Sequence, residues 1–479
     1  MVFSSAVFLF AYLPIVFLGY YAIPKKYALA FLFVMNFVFY GWGEPVYLFL
    51  MIFSIALNYA AALSIGRFNR KKLILAVALA VNLALIGFYK YSGLIASTFY
   101  ALAPQLAKLL RESSAPGFVA DFTAPPLPIG ISFYTFQAMA YIIDVYRGNL
   151  AAERSVLKFG TFIALFPQLT AGPIVMYRDV ADDIGKREAR LSDIEKGLKI
   201  FICGLSKKLL LANAVGLAWE RFGGAPGANG VAGAWVGLIL YAFHIYFDFG
   251  GYSDMAVGLG MALGFKFPAN FNYPYVSKSI TEFWRRWHIT LSSWFRDYVY
   301  IPLGGSRRSA ARNLFNLVAV WLLTGLWHGA SWNFVMWGLY FAVVLIAERT
   351  FLLKAFDRIK LPALLRRAYA FAIVVVGWGL FALTDFSQSF AYIAEMFGRT
   401  APGGMPFSTS ALRYAAAYVP TLLLCCLAAT PLPKRAWSAI TGGGQKFRAV
   451  ETAGALALLA LCVASMTAGG YNPFIYYRF

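Results

Sequence analysis

The sequence predicts an all-α integral membrane protein with many membrane crossings. Hydrophobic residues make up 60% of the 479 residues, and the mean hydropathy is +0.65. Charged residues make up only 13%, against about 25% in a water-soluble domain. Stretches such as VYLFLMIFSIALNYAAALSI and LILAVALAVNLALIGFY approach the roughly 20 apolar residues that a helix needs to cross a bilayer. The chain is therefore predicted to be helical and polytopic.

The net charge of +21 does not indicate a nucleic-acid partner. Its lysines and arginines lie in short loops between apolar runs, where they orient the spans by keeping positive loops in the cytoplasm. The partner predicted for this composition is the lipid bilayer. The cysteines lie within apolar runs, and neither Cys nor His shows a metal-site spacing. We therefore predict no metal and no bound cofactor.

The order of the basic loops predicts the topology. PKK at 24–26 and RFNRKK at 67–72 flank the loop GWGEP, which carries no positive charge, so the amino terminus is expected outside the cytoplasm. Counting all apolar runs gives about 12 crossings, within a range of about 11–13. Both termini are then expected on the extracytoplasmic side. Later spans are expected near 199–218, 231–248, 313–330, 332–350, 368–386, 411–431 and 450–468.

Two stretches do not fit a simple span. The segment FGTFIALFPQLTAGPIVM, at 159–176, contains Pro167 and the pair Gly172-Pro173, which break helices. It lies between two basic segments, which predicts a re-entrant hairpin buried in protein. The second stretch, 264–312, is too polar for a span, and its mixture of arginines and aromatic residues is typical of an amphipathic helix at the cytoplasmic interface.

Two of the three histidines are candidates for chemistry. His328, in LLTGLWHGASWNF, is expected roughly 20 Å or more from the cytoplasmic start of its helix. An ionisable group at that depth indicates a functional site, although a neutral histidine hydrogen-bonded between helices is the structural alternative. Anchoring at a membrane surface explains neither His288 nor Asp297. Trp327 and Asp297 are candidates for substrate binding, whereas His244 is interpreted as structural.

The pattern favours acyl transfer. The sequence contains no serine elbow, paired-carboxylate motif, P-loop or zinc signature. What remains is a buried histidine between basic cytoplasmic edges and aromatic grooves. A histidine base suits a reaction in which a hydroxyl loses its proton as it attacks a thioester.

Several segments resemble the membrane-bound O-acyltransferase family, and in particular its bacterial alginate O-acetylation branch. They are WRRWHITLSSWFRDYVYIPLGG, WHGASWNFVMWG, LPIGISFYTFQ, FPQLTAGPI and the opening MVFSSAVFLFAYLPIVFLGYY. The resemblance implies a ring of helices around a thinned centre, where a cytoplasmic acyl donor meets an acceptor from the other side. It also implies that His328 is the catalytic histidine and His288 the second histidine of this branch.

The last residues carry a second resemblance. FIYYRF is similar to the F-x-Y-x-x-F motif that ends the small membrane partner of teichoic acid D-alanylation, where the tyrosine is a transient acyl carrier. The motif implies that Tyr476 is a carrier, with Phe474 and Phe479 as anchors. The chain is then divided into an acyltransferase domain over 1–470 and an extracytoplasmic carrier motif over 471–479.

A tyrosine suits this role because the pKa of a phenol, about 10, is close to that of a thiol, about 8.5. An acyl-tyrosine therefore keeps the transfer potential of a thioester. We expect an O-acetyltransferase of the bacterial cytoplasmic (inner) membrane that uses acetyl-coenzyme A as its donor substrate. Its expected extracytoplasmic partners are an SGNH-like acetyltransferase and the polysaccharide which that enzyme modifies.

Three alternatives remain open at this point. The first is D-alanyl transfer toward teichoic acid, which differs in donor and acceptor. The second is a transporter in which the histidines relay protons, although paired internal repeats are not evident. The third is a non-catalytic assembly partner whose histidines only pack.

Overall fold

The structure is a computed structural model that describes most of the chain. Most of the described part is helical, and no β-strand occurs in it. The prediction of an all-α polytopic membrane protein is confirmed. The described residues are 1–102, 105, 125–186, 189–224, 226–383, 385–399, 408–441, 447–468 and 474–475.

The first part of the chain alternates long helices with short, broken ones. Serine side chains cap several helix starts, as at Ser155, whose hydroxyl accepts from the backbone N–H of Lys158 at 3.3 Å, which satisfies one of the otherwise unpaired donors of a first turn. The helices of this part are Phe8–Ala22, Lys25–Gly43, Leu48–Arg67, Lys71–Leu102, Ile131–Arg147, Val156–Ala164, Phe166–Leu169 and Tyr177–Val180.

The second part contains the two longest helices and the segments that carry the histidines. A 3₁₀ turn, Pro274–Val276, precedes the short helices around His288. The helices are Leu191–Gly223, Gly230–Ala262, Ile280–Arg286, Ile289–Phe295, the π-helix Arg296–Tyr300, Ala310–His328, Trp332–Arg358, Ala363–Ala382, Phe386–Met396, Thr409–Ala417, Val419–Ala428, Leu432–Thr441 and Arg448–Ala468.

Seven of the described helices are long and apolar enough to cross a membrane. An eighth span results if the bent pair Thr409–Ala417 and Val419–Ala428, which meet at 56°, counts as one crossing. The predicted total of about 12 also included helices outside this group, such as Lys25–Gly43 and Ala310–His328. The chain is a multi-pass membrane protein.

The helices Leu191–Gly223 and Gly230–Ala262 make a close backbone contact. A methyl group added at Gly204 would overlap the backbone oxygen of Gly251, and one at Gly251 would overlap that of Gly204. Small residues allow this approach of helices in membranes. The approach brings Lys208 on one helix opposite Asp248 on the other.

The segment 159–176 is broken as predicted. Its first helix ends at Ala164, a single turn covers Phe166–Leu169, and the backbone is non-helical from 171 to 176. Every residue from 159 to 177 is buried. Irregular backbone at membrane depth needs this protein environment.

The single amphipathic helix expected within 264–312 is divided into two. The helices Ile280–Arg286 and Ile289–Phe295 are separated at Trp287 and His288, both of which are 1% exposed. The break lies at His288 because its φ is +43°, in the left-handed region, which non-glycine residues rarely adopt. The aromatic residues of this stretch therefore line the interior, where an interface position was expected.

The helix that ends at His328 packs closely against the next helix, Trp332–Arg358, at Gly325. A methyl group at Gly325 would overlap the backbone oxygen of Phe334. We expect Gly325→Ala to destabilise the protein by about 1–3 kcal/mol, because it overpacks this contact. Thermal unfolding in detergent measures the effect.

The matched control for this prediction is Gly454→Ala. Gly454 is also helical, but an added methyl group there meets no atom within 4 Å, so the midpoint should stay level or rise slightly. Equal midpoints for Gly325→Ala and the parent protein would contradict the packing.

Candidate active site

Four segments line a small cavity beside His328: the helix that carries Lys90, and three segments that carry sequence motifs. The cavity has a volume of about 40 Å³. Gly130, whose φ is +78°, brings the first of these three segments against the backbone of Leu169 in the second. The third supplies Trp327 and His328, and the sequence motifs quoted for the family resemblance thus converge. The lining residues are Lys90, Leu127, Pro128, Ile129, Gly130, Ile131, Ser132, Phe133, Thr170, Trp327 and His328.

His328 is 4% exposed and enclosed by aromatic rings. Its ring centroid lies 5.0 Å from those of Trp327 and Trp337 and 5.2 Å from that of Phe381, all edge-on. Edge-on packing fixes the plane of a ring. The cavity that Thr170 and Gly130 help to line adjoins His328.

Lys90 and Tyr91 hold the carboxyl end of the His328 helix. The Lys90 ammonium donates to the backbone oxygen of Trp327 and lies 3.4 Å from that of His328. The Tyr91 hydroxyl donates to the backbone oxygen of Leu326 at 2.5 Å. A helix end leaves its last carbonyls without internal partners, and cations stabilise that end. Neither residue was predicted from the sequence, although a lysine within an apolar run is a signal for such a contact.

His288 has a defined hydrogen-bond partner, Asn270. The amide oxygen of Asn270 accepts from His288 Nδ1 at 3.1 Å and from the Thr290 hydroxyl at 2.9 Å, while its Nδ2 donates to Ser253 at 2.9 Å. Because that oxygen only accepts, Nδ1 of the neutral ring carries the hydrogen and Nε2 keeps a lone pair. Among the described residues, Nε2 has no hydrogen-bond partner. His288 thus offers a proton acceptor in the interior.

Trp327 joins the two histidines in one cluster. Its ring centroid lies 5.8 Å from that of His288 and 5.0 Å from that of His328. All three residues are candidates from the sequence, and they come from segments about 40 positions apart. The structure brings them together at the end of one helix and the break between two others.

Asp297 lies in a separate group of charges that we call the arginine cluster: Arg147, Arg178 and Arg296 with Asp297. Asp297 is 3.0 Å from Arg178 and 2.7 Å from Arg296, and its backbone oxygen accepts from Arg147 at 3.1 Å. Partial burial acts to raise the pKa of Asp297, but hydrogen bonds and charge from Arg296 and Arg178 outweigh it, so the pKa lies below its usual value. The carboxylate remains ionised at neutral pH, and Asp297 joins three segments through its carboxylate and its backbone oxygen.

A row of rings connects the arginine cluster with Trp327. Tyr298 lies 5.4 Å from Trp294, Trp294 is stacked on Phe136 at 3.9 Å, and Phe136 lies 5.8 Å from Trp327. These rings form an apolar wall between the positive charges and the histidines. Asp297 therefore stands at the far end of this wall from His328.

Phe474 and Ile475 lie inside the protein. Phe474 is fully buried, 4.8 Å from the ring of Tyr252 and 6.0 Å from that of Phe249, which is itself 4.8 Å from His288. The Ile475 N–H donates to Asp248 at 2.8 Å. The sequence places Tyr476 and Phe479 directly beyond, and both lie outside the described residues.

The chain is similar in sequence to known proteins. The model of the membrane-bound O-acyltransferase family matches residues 149–384, which include both candidate histidines. The chain is 40% identical to a probable alginate O-acetylase of Azotobacter vinelandii, over 83% of this chain and 78% of that one. A Pseudomonas putida protein of the same description is 35% identical over both full lengths. A peptidoglycan O-acetyltransferase of Helicobacter pylori is 32% identical over 83% of this chain and 80% of its own. The chain is an acyltransferase that belongs to the membrane-bound O-acyltransferase family.

Proposed function

We propose that this membrane O-acyltransferase takes an acetyl group from cytoplasmic acetyl-coenzyme A and passes it across the bacterial cytoplasmic membrane through Tyr476. An extracytoplasmic SGNH-like acetyltransferase then esterifies a polysaccharide. The relatives are described as acting on alginate and on peptidoglycan, which supports a polysaccharide as the final acceptor. Both termini are on the extracytoplasmic side in this proposal.

The observation that carries the proposal is the position of Phe474. Its ring is separated from His288 by the single ring of Phe249, and His288 is separated from His328 by Trp327. Consecutive α-carbons are about 3.8 Å apart. A hydroxyl within a few residues of Phe474 therefore has to move only a short distance to reach the histidine cluster.

The arginine cluster supports a donor with phosphates. Arg147 and Arg296 are exposed, and guanidinium groups suit phosphate oxygens. The row of rings from Tyr298 to Trp327 gives the acetyl group an apolar surface along which to approach His328. Donor and carrier then approach the histidines from different directions, so that coenzyme A itself does not need to cross.

In the proposed step, His328 acts as general base. Its imidazole takes the proton of the Tyr476 hydroxyl as that oxygen attacks the thioester carbonyl. The new C–O bond forms and the C–S bond breaks, and the imidazolium returns the proton to the leaving thiolate. His288, with its Nε2 lone pair, orients a reacting group within the same cluster. Each proton and electron pair is accounted for without a metal.

Peptide mass spectrometry of the terminal segment, residues 471–479, tests this function. After the purified protein is incubated with acetyl-coenzyme A, we expect one added acetyl group on Tyr476. Tyr476→Phe should abolish the addition, whereas the neighbouring Tyr477→Phe should retain it. Polysaccharide acetylation that proceeds in cells with Tyr476→Phe would contradict the relay.

A further inference from the structure

Two charges form an ion pair in the middle of the longest helices. The Lys208 ammonium contacts one carboxylate oxygen of Asp248, and the two side chains are 2% and 0% exposed. Lys208 lies on Leu191–Gly223 and Asp248 on Gly230–Ala262, both of which are apolar spans. Charges are rare inside membranes and mark functional sites there. Neither residue lines the cavity at His328.

The second carboxylate oxygen of Asp248 has a different partner. It accepts the backbone N–H of Ile475, which is 227 positions away in the sequence. Beside this contact, the ring of Phe474 packs against Tyr252, one helical turn along from Asp248. The carboxylate thus contacts the terminal segment through one oxygen and holds Lys208 through the other.

We propose that the Lys208–Asp248 pair is the docking site for the terminal segment, which it binds by the backbone amide of Ile475. The site recognises a peptide whose backbone N–H, next to a phenylalanine, is available to the carboxylate. This inference deepens the proposed function, on which its catalytic meaning rests. Lys208 and Asp248 are positioning residues here, because they act on the reaction through the segment that they hold.

The pairing with Lys208 makes docking reversible. If Asp248 stood alone, withdrawal of the terminal segment would leave a buried carboxylate without a partner, which is strongly unfavourable. With Lys208 in place, the carboxylate keeps its counter-charge whether the segment is bound or released. A carrier that must leave after each acylation requires this property.

Photo-crosslinking of the full chain in native membranes tests the site. A benzoylphenylalanine placed at position 474 should crosslink to the helix Gly230–Ala262, because Phe474 contacts Tyr252 and Phe249 there. The control is the same probe at position 3. Phe3 stacks on Tyr252 at 4.5 Å but belongs to the opposite end of the sequence, so its crosslink reports an intact core.

Two variants remove the contact in different ways. The exchange Lys208→Asp with Asp248→Lys keeps an ion pair but turns an ammonium toward the amide. Ile475→Pro leaves the pair untouched and removes the N–H donor, with Ile475→Val as its matched control. We expect the crosslinking yield from position 474 to fall at least tenfold in the charge exchange and in Ile475→Pro, and to stay unchanged in Ile475→Val. The yield from position 3 should stay unchanged in all of these variants.

The outcomes separate docking from chemistry. If the crosslinking yield from position 474 is unchanged in Ile475→Pro, the proposed docking site is wrong. This conclusion holds even if the charge-exchange variant fails to fold, which loss of the crosslink from position 3 would show. His328→Ala should crosslink normally from position 474, because docking does not require transfer. A docked parent protein that never carries acetyl on Tyr476 refutes the carrier function and leaves the docking site standing.

Discussion

Replacement of His328 by alanine should reduce acetyl transfer by at least about 10³-fold while the protein is still made and inserted. Loss of a general base typically costs about 10² to 10⁴ in rate. The large end of this range applies because the rings of Trp327, Trp337 and Phe381 enclose the site and leave little room for a substitute base. Transfer of labelled acetyl from acetyl-coenzyme A to the protein measures the effect.

Two further variants distinguish chemistry from packing at this position. His328→Gln keeps most of the side-chain volume but cannot act as a base, so it should be as inactive as alanine. His244→Ala removes a histidine that packs against Gly216, outside the cavity, and should retain transfer. Near-normal transfer by a well-inserted His328→Gln protein would show that this imidazole serves only to fill space.

Replacement of Asn270 by leucine should lower kcat by about 10²-fold and leave KM for acetyl-coenzyme A nearly unchanged. Asn270 fixes the tautomer of His288 through one oxygen, and a wrong tautomer in a catalytic histidine can cost up to about 10⁴. Leucine matches the size of asparagine but accepts no hydrogen bond. Steady-state kinetics at saturating and limiting donor separates the two parameters.

Asn270→Asp provides the rescue for that experiment. A carboxylate at this position still accepts from His288 Nδ1 and from the Thr290 hydroxyl, so much of the lost rate should return. If aspartate and leucine lowered kcat equally, the role of Asn270 would be the packing of the segment and not the orientation of His288.

The membrane class, the broken segment and the histidine motifs can all be predicted from the amino-acid sequence. Each of these depends on neighbours within one stretch of chain. Apolar runs set the spans, Pro167 and Gly172-Pro173 break the backbone, and the motif around His328 identifies its family. The prediction that His288 matters for more than surface anchoring agrees with its buried position.

Which distant polar groups meet depends on how the helices pack, and the sequence does not predict it. Lys90 reaches a carbonyl 237 positions away, and Asp248 reaches an amide 227 positions away. Buried polar groups in a membrane need partners, but hydropathy does not say which partner each will find. Close packing at contacts such as Gly204 with Gly251 sets that choice, because it fixes which faces of two helices touch. The register between helices is a property of their packed surfaces, and no single segment contains it.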